Sequence, residues 1–242
     1  GTSVGGLSAP SPQVGAKDVA GLSRGPLCGN DRLLPELYVL GTMKAGTSSL
    51  GKALMTSGIR TPHGGKEWHF FRRHFKSHND TWDLAVVRET WLGRLPACSS
   101  GQPDKHGRVV LADLTPLSLM LVPPGPGLEL LNSAGVEEAV NLPSTLKYLY
   151  GPLLRRPTFV AMLREPLDAL LSLWYMMMRT VKSPKWQFRE IVLSTIKQAE
   201  RGKVGAFMLW AFLYGRQLRY WLSQMDASQF VLIPYKYYTL LA

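Results

Sequence analysis

The 242 residues carry 28 Lys and Arg against 17 Asp and Glu, a formal charge of +11 with a pI near 9.8. This balance calls for an anionic partner: nucleic acid, a sulfated or carboxylated glycan, or a multiply charged nucleotide. No apolar run approaches the roughly eighteen residues that cross a bilayer, and Cys28 and Cys98 permit one disulfide but show neither a C-x-x-C nor a zinc spacing.

Residues 1 to 30 are rich in Gly, Ser and Pro and poor in large apolar groups, which predicts a flexible stem. Because the sequence begins Gly-Thr-Ser without an initiator Met, an anchor upstream is compatible with it. From Leu33 onward short β-like runs alternate with longer helix-like ones. That pattern predicts a single α/β domain over 31–242, with a central parallel sheet flanked by helices. Strands are expected near 37–41, 108–112, 158–163 and 229–234. Helices are expected over 47–57, 166–178, 187–200 and 206–224. The Pro-Pro-Gly-Pro-Gly stretch makes Leu121 to Pro143 read as loop with one short helix.

The first strand runs into Leu37-Tyr-Val-Leu-Gly-Thr-Met-Lys-Ala-Gly-Thr-Ser-Ser-Leu50. A strand, a glycine-bounded loop and a helix start present free N–H groups and the positive end of a dipole to an anion. Gly41 and Gly46 keep the spacing of a Walker loop, G-x-x-x-x-G-K-[ST]. Thr47, however, stands where that loop has its lysine, and the lysine is inside the loop at Lys44. This disfavours a kinase or nucleotide hydrolase. Three later segments bear on the reading: Gly65-Lys-Glu-Trp-His-Phe-Phe71, then the run from Arg155 through Arg164-Glu-Pro to Ser172, then Phe212 to Leu222 followed by Gln229 to Tyr235.

In this order the four segments resemble sulfotransferases that use 3′-phosphoadenosine 5′-phosphosulfate, in particular glycan sulfotransferases of the heparan sulfate type. The resemblance spans roughly residues 35 to 240 and implies a P-loop-type fold. It implies that Lys44, Ala45, Gly46, Thr47, Ser48 and Ser49 hold the donor's 5′-phosphosulfate. Arg164 and Ser172 then meet the 3′-phosphate. Glu67 becomes the general base, with His69 assisting and Lys44 stabilising the leaving phosphate. Lys66, Arg72 and Asp113 face the acceptor. A Golgi or secretory location, an anionic glycan acceptor and a metal-free reaction are implied in the same way, with nucleic acid set aside.

The residues support these roles on their own terms. A carboxylate in hydrogen-bond reach of a hydroxyl is a general base, and Trp68, Phe70 and Phe71 are expected to wall Glu67 from water. Arginine presents a planar fork to phosphate, and Pro166 suits a helix's first turn. Lys44, Asp113 and Arg164 all follow predicted strand ends, where ligands of such sheets sit. His69, His74 and His78 do not read as a metal site, because Arg72, Arg73 and Lys76 lie among them. Met176 to Met178, with Trp210, Tyr214 and Trp221, read as core. A non-catalytic polyanion-binding module remains an alternative on charge.

Some positions depart from the family's pattern. Val110-Leu-Ala-Asp-Leu-Thr-Pro116 resembles an element usually reading Glu-Lys-Ser/Thr-Pro, so Leu114 replaces a site-facing lysine and Asp113 a glutamate. Arg72 stands where an aspartate often follows Phe-Phe. The sequence also stops at Ala242, before the glycine-rich basic loop with which such enzymes close over the donor.

Overall fold

The computed structural model describes residues 25–77, 83–100, 109–123, 141–179, 187–200 and 210–241. A small antiparallel pair, β1 (Cys28–Gly29) and β2 (Arg32–Leu33), precedes the main sheet. That sheet holds β3 (Pro35–Gly41), β4 (Leu111–Asp113), β5 (Thr158–Leu163) and β6 (Phe230–Pro234). Its order is β4-β3-β5-β6 and every pairing is parallel. All four expected strands are present, although residue 108 lies outside the described residues.

β3 is buried on both faces, as a central parallel strand must be. One face sends Val39 toward Ala112, Leu114 and Val160, beneath Leu50 and Leu54 of α1 (Thr47–Thr56). The other face carries an aromatic row. Phe71 lies 6.4 Å from Trp91, Trp91 5.5 Å from Tyr150, and Tyr150 6.4 Å from Tyr38. Tyr38 lies 5.7 Å from Phe159, which lies 5.3 Å from Trp221. The row links α2 (Phe70–Ser77), α3 (Leu84–Gly93), α4 (Leu142–Tyr150), β3, β5 and α7 (Tyr214–Gln224).

Between α4 and α7 lie α5 (Pro166–Met178), as expected, and α6 (Phe188–Glu200). The helix expected over 206–224 differs. Residues 206–209 lie outside the described residues, and α7 begins only at Tyr214 after a turn. At the break the Trp210 carbonyl accepts both from Leu213 N at 3.2 Å and from the Gln217 side-chain amide. Trp210 and Trp221 donate to the Met120 and Leu119 carbonyls at 3.1 and 3.0 Å, clamping the turn Ser118–Met120.

Several elements differ from expectation. The short helix read within 121–143 is instead α4, which starts at the end of that stretch and runs beyond it to Tyr150, capped by Asn141, whose side chain accepts from Ser144 N at 2.9 Å. The remainder of that stretch, 124–140, lies outside the described residues. Asp83 caps α3 by accepting from Ala85 N at 2.8 Å. α8 (Tyr235–Leu241) directly follows β6. The stem expected over 1–30 ends earlier, since Leu27 is fully buried and its carbonyl accepts from Leu34 N. Cys28 and Cys98 form a disulfide, Cα atoms 5.9 Å apart, tying β1 to the turn Cys98–Ser100. Residues 1–24 lie outside the described residues.

Candidate functional site

The carboxyl ends of β3 and β5 open into a cleft of about 460 Å³. Its lining includes Lys44, Gly46, Thr47, Ser48, Lys66, Glu67, His69, Arg72, Arg164, Ser172 and Tyr235. A neighbouring hollow of about 410 Å³ shares Lys44, Arg164, Ser172 and Met176 and adds Arg179.

The loop is shaped for an anion. Thr42 N donates to the Met162 carbonyl at 2.8 Å, holding the end of β3 to β5. Lys44 and Gly46 then take left-handed backbone conformations, φ 62° and 87°. A side chain at Gly46 would meet the Tyr235 ring at 3.1 Å, so glycine is needed for space as well as for φ. Gly46 caps α1 without any side-chain hydrogen bond, and the first turn carries no acidic residue. The first two N–H groups of this helix, those of Thr47 and Ser48, therefore lie at the cleft with no intrahelical acceptor. Thr47 is the first helical residue and is buried. Ala45 is buried beneath the loop, and Ser49 is exposed beside it without lining the cleft.

Arg164 joins the loop to β5. Its Nη1 donates to the Lys44 carbonyl at 3.1 Å, and its guanidinium lies 4.7 Å from the centre of the Tyr235 ring. Its Nε is buried and donates to nothing among the described residues. Such an orphaned cationic donor beside an uncapped helix start suits a phosphate group. Ser172, on α5, faces the same space. Lys44 Nζ lies 3.8 Å from Met176 Sδ, so Met176, expected in the core, is 46% exposed and forms part of the wall.

Glu67 stands across the cleft with both oxygens engaged. Oε1 accepts from Lys66 Nζ at 2.8 Å, and Oε2 lies 2.9 Å from His69 Nε2. The wall expected of Trp68, Phe70 and Phe71 is not there. All three rings are core, and the Glu67 side chain is 35% exposed. Arg72 reaches the cleft rim, while His78 lies outside the described residues.

Asp113 has a different place from the one expected. It is 2% exposed, does not line the cleft, and accepts at Oδ1 from Thr115 N at 3.0 Å and Thr115 Oγ1 at 2.6 Å. Thr115 Oγ1 in turn accepts from His69 N at 3.1 Å. His69 has φ 55°, so this relay fixes an uncommon backbone turn that carries Glu67 and His69. Burial raises the Asp113 carboxyl to about 6, against the pull of the two Thr115 hydrogen bonds. Leu114, where a lysine was expected, is buried beneath α1.

Sequence reasoning missed Tyr235, which closes the cleft between Gly46 and Arg164. The signal was available, because Tyr235 follows a strand end just as Lys44 and Arg164 do.

No family model and no curated protein matches the chain. Among solved structures, a sulfotransferase from Alicyclobacillus acidocaldarius superposes with a TM-score of 0.54 at 18% identity, covering 86% of this chain and 75% of that one. The chain has a sulfotransferase fold. A sulfotransferase domain from the curacin biosynthetic pathway aligns with a TM-score of 0.41 at 14% identity, over 85% of this chain and 68% of that one. Within the sulfotransferase fold, the loop after β3, the Arg164 junction and Glu67 all open onto one cleft.

Proposed function

We propose that the protein transfers a sulfuryl group from 3′-phosphoadenosine 5′-phosphosulfate to a glycan hydroxyl. The observation that carries this reading is the shared cleft. An uncapped helix start with its lysine inside the loop faces a carboxylate, with an orphaned arginine donor at the side. Thr47, buried in place of a Walker lysine, weighs against triphosphate hydrolysis.

On this reading the loop N–H groups, Thr47 and Ser48 hold the 5′-phosphate, and Arg164 with Ser172 holds the 3′-phosphate. The acceptor oxygen attacks sulfur as the bond from sulfur to the bridging oxygen breaks. The released electron pair stays on the 5′-phosphate beside Lys44, and the acceptor proton passes to Glu67. His69 steadies Glu67 through Oε2. The excess of basic residues, with Arg72 at the rim, suits an anionic glycan as acceptor. The Cys28–Cys98 disulfide supports a Golgi or other secretory location, where such bonds persist.

Calorimetry with 3′-phosphoadenosine 5′-phosphate against ATP with magnesium tests the donor. The bisphosphate is expected to bind selectively, and Lys44→Ala and Arg164→Ala each to weaken it about tenfold or more. Preference for ATP with magnesium refutes the reading, and equal loss from any surface cation favours a polyanion-binding module. With an acceptor in hand, Glu67→Gln is expected to lower turnover about 10²- to 10⁴-fold without weakening donor binding.

A further inference from the structure

Lys66 was expected to face the acceptor, but its contacts point elsewhere. Its Nζ donates to Ser48 Oγ at 2.8 Å and to Glu67 Oε1 at 2.8 Å. Ser48 is the second residue of α1, in the turn where a helix start holds an anion. The lysine stem runs along that helix. A Cβ at Gly51 would stand 3.3 Å from Lys66 Cγ and 3.4 Å from Cε, so glycine there leaves room for it. Lys44 leans the other way, toward Met176 on α5. The two lysines thus flank the loop from opposite sides.

Resting on the proposed function above, we propose that Lys66 is a second cation for the donor's 5′-phosphate, and that the donor and Glu67 compete for it. An ammonium has three donors and no acceptor, so Lys66 can keep Ser48 while exchanging Glu67 for a phosphate oxygen. The donor's phosphosulfate carries a negative charge on phosphate and another on sulfate, more than a single carboxylate, and its phosphate is held in place by the helix start. Donor arrival therefore draws Lys66 off Glu67 Oε1, while Oε2 stays with His69. The oxygen so released is the one that accepts the acceptor's proton. Binding of the donor is thus a precondition for a working base.

The test uses calorimetry on the whole chain with two probes, 3′-phosphoadenosine 5′-phosphate and adenosine 3′-phosphate, which lacks the 5′ group. Lys66→Met is expected to weaken the bisphosphate about tenfold and leave the monophosphate within about twofold, with Lys66→Arg restoring most of the loss. Glu67→Gln is expected to tighten the bisphosphate about threefold, and to lose that effect in the Lys66→Met background. Equal weakening of both probes by Lys66→Met overturns the proposal. So does a Glu67→Gln gain that survives without Lys66, because Glu67 would then act on the phosphate directly. Failure of the wild type to bind the bisphosphate at all instead removes the sulfotransferase reading, and this proposal with it. Matching melting curves for the variants confirm that each comparison is between folded proteins.

Discussion

Asp113→Asn isolates the cost of a buried charge. The carboxyl is almost fully enclosed and burial raises it from 3.8 to about 6. The folded protein therefore keeps a proton that the unfolded chain releases. The resulting stability is fully present below about pH 3.8 and is lost as pH rises through about 6. Asparagine imitates the protonated form and still offers Oδ1 to Thr115, so its stability lacks this dependence. Each pKa unit is worth about 1.4 kcal/mol, so the roughly 1.5 units between pH 4.5 and about 6 amount to about 2 kcal/mol. Urea unfolding followed by tryptophan fluorescence is expected to show the variant gaining about that much on the wild type between pH 4.5 and 7.5, then no more. In thermal melts the same gain is roughly 4–8 °C for a chain of this size. A gap that stays constant across the range refutes the reasoning, since it would mean that the carboxylate is not desolvated.

Gly46→Ala forces a side chain into φ 87° and against Tyr235, so it is expected to cost about 1–3 kcal/mol and to weaken the bisphosphate, as read by melting and calorimetry. Unchanged affinity would show that the loop's backbone does not hold the phosphate. Cys28→Ser opens a disulfide spanning 70 residues, and the loss of loop closure is expected to cost about 4 kcal/mol in chemical unfolding. Trp221→Phe strands the Leu119 carbonyl and leaves a cavity between α7 and β5. It is expected to cost about 2–3 kcal/mol, with hydrogen exchange rising first over Ser118–Met120.

What the sequence made legible was local in origin. Pro166 starts a helix because its fixed φ fits there and its missing N–H is not needed, and Gly41 and Gly46 mark a loop because their spacing brackets one. Those signals lie within a few residues of the structure they cause. The break before α7 does not. It comes with two indoles, Trp210 and Trp221, gripping the turn after β4, and no window of sequence around 206–213 contains the Met120 and Leu119 carbonyls they hold. Asn141 was readable as a cap, yet it lies in the stretch whose composition read mostly as loop.

The same division governs the site. A strand-end carboxylate reads as a group facing solvent or ligand, so Asp113 was assigned to the acceptor. Whether it faces out or in depends on β4 being an edge strand whose last residues turn under the loop. There Thr115 can take both of its protons to Asp113 and receive one from His69. With Asp113 turned inward, Leu114 lies under α1 rather than in the cleft, and the lysine expected at that position has no place to act. Its charge need not be missing from the cleft, because Lys66 reaches Ser48 from the other strand connection. Residue type and spacing reveal which chemistry is available, but the direction of each side chain is decided by contacts that are distant in sequence. The proposed chemistry is therefore most exposed to test at Lys66, where the loop and Glu67 share a partner.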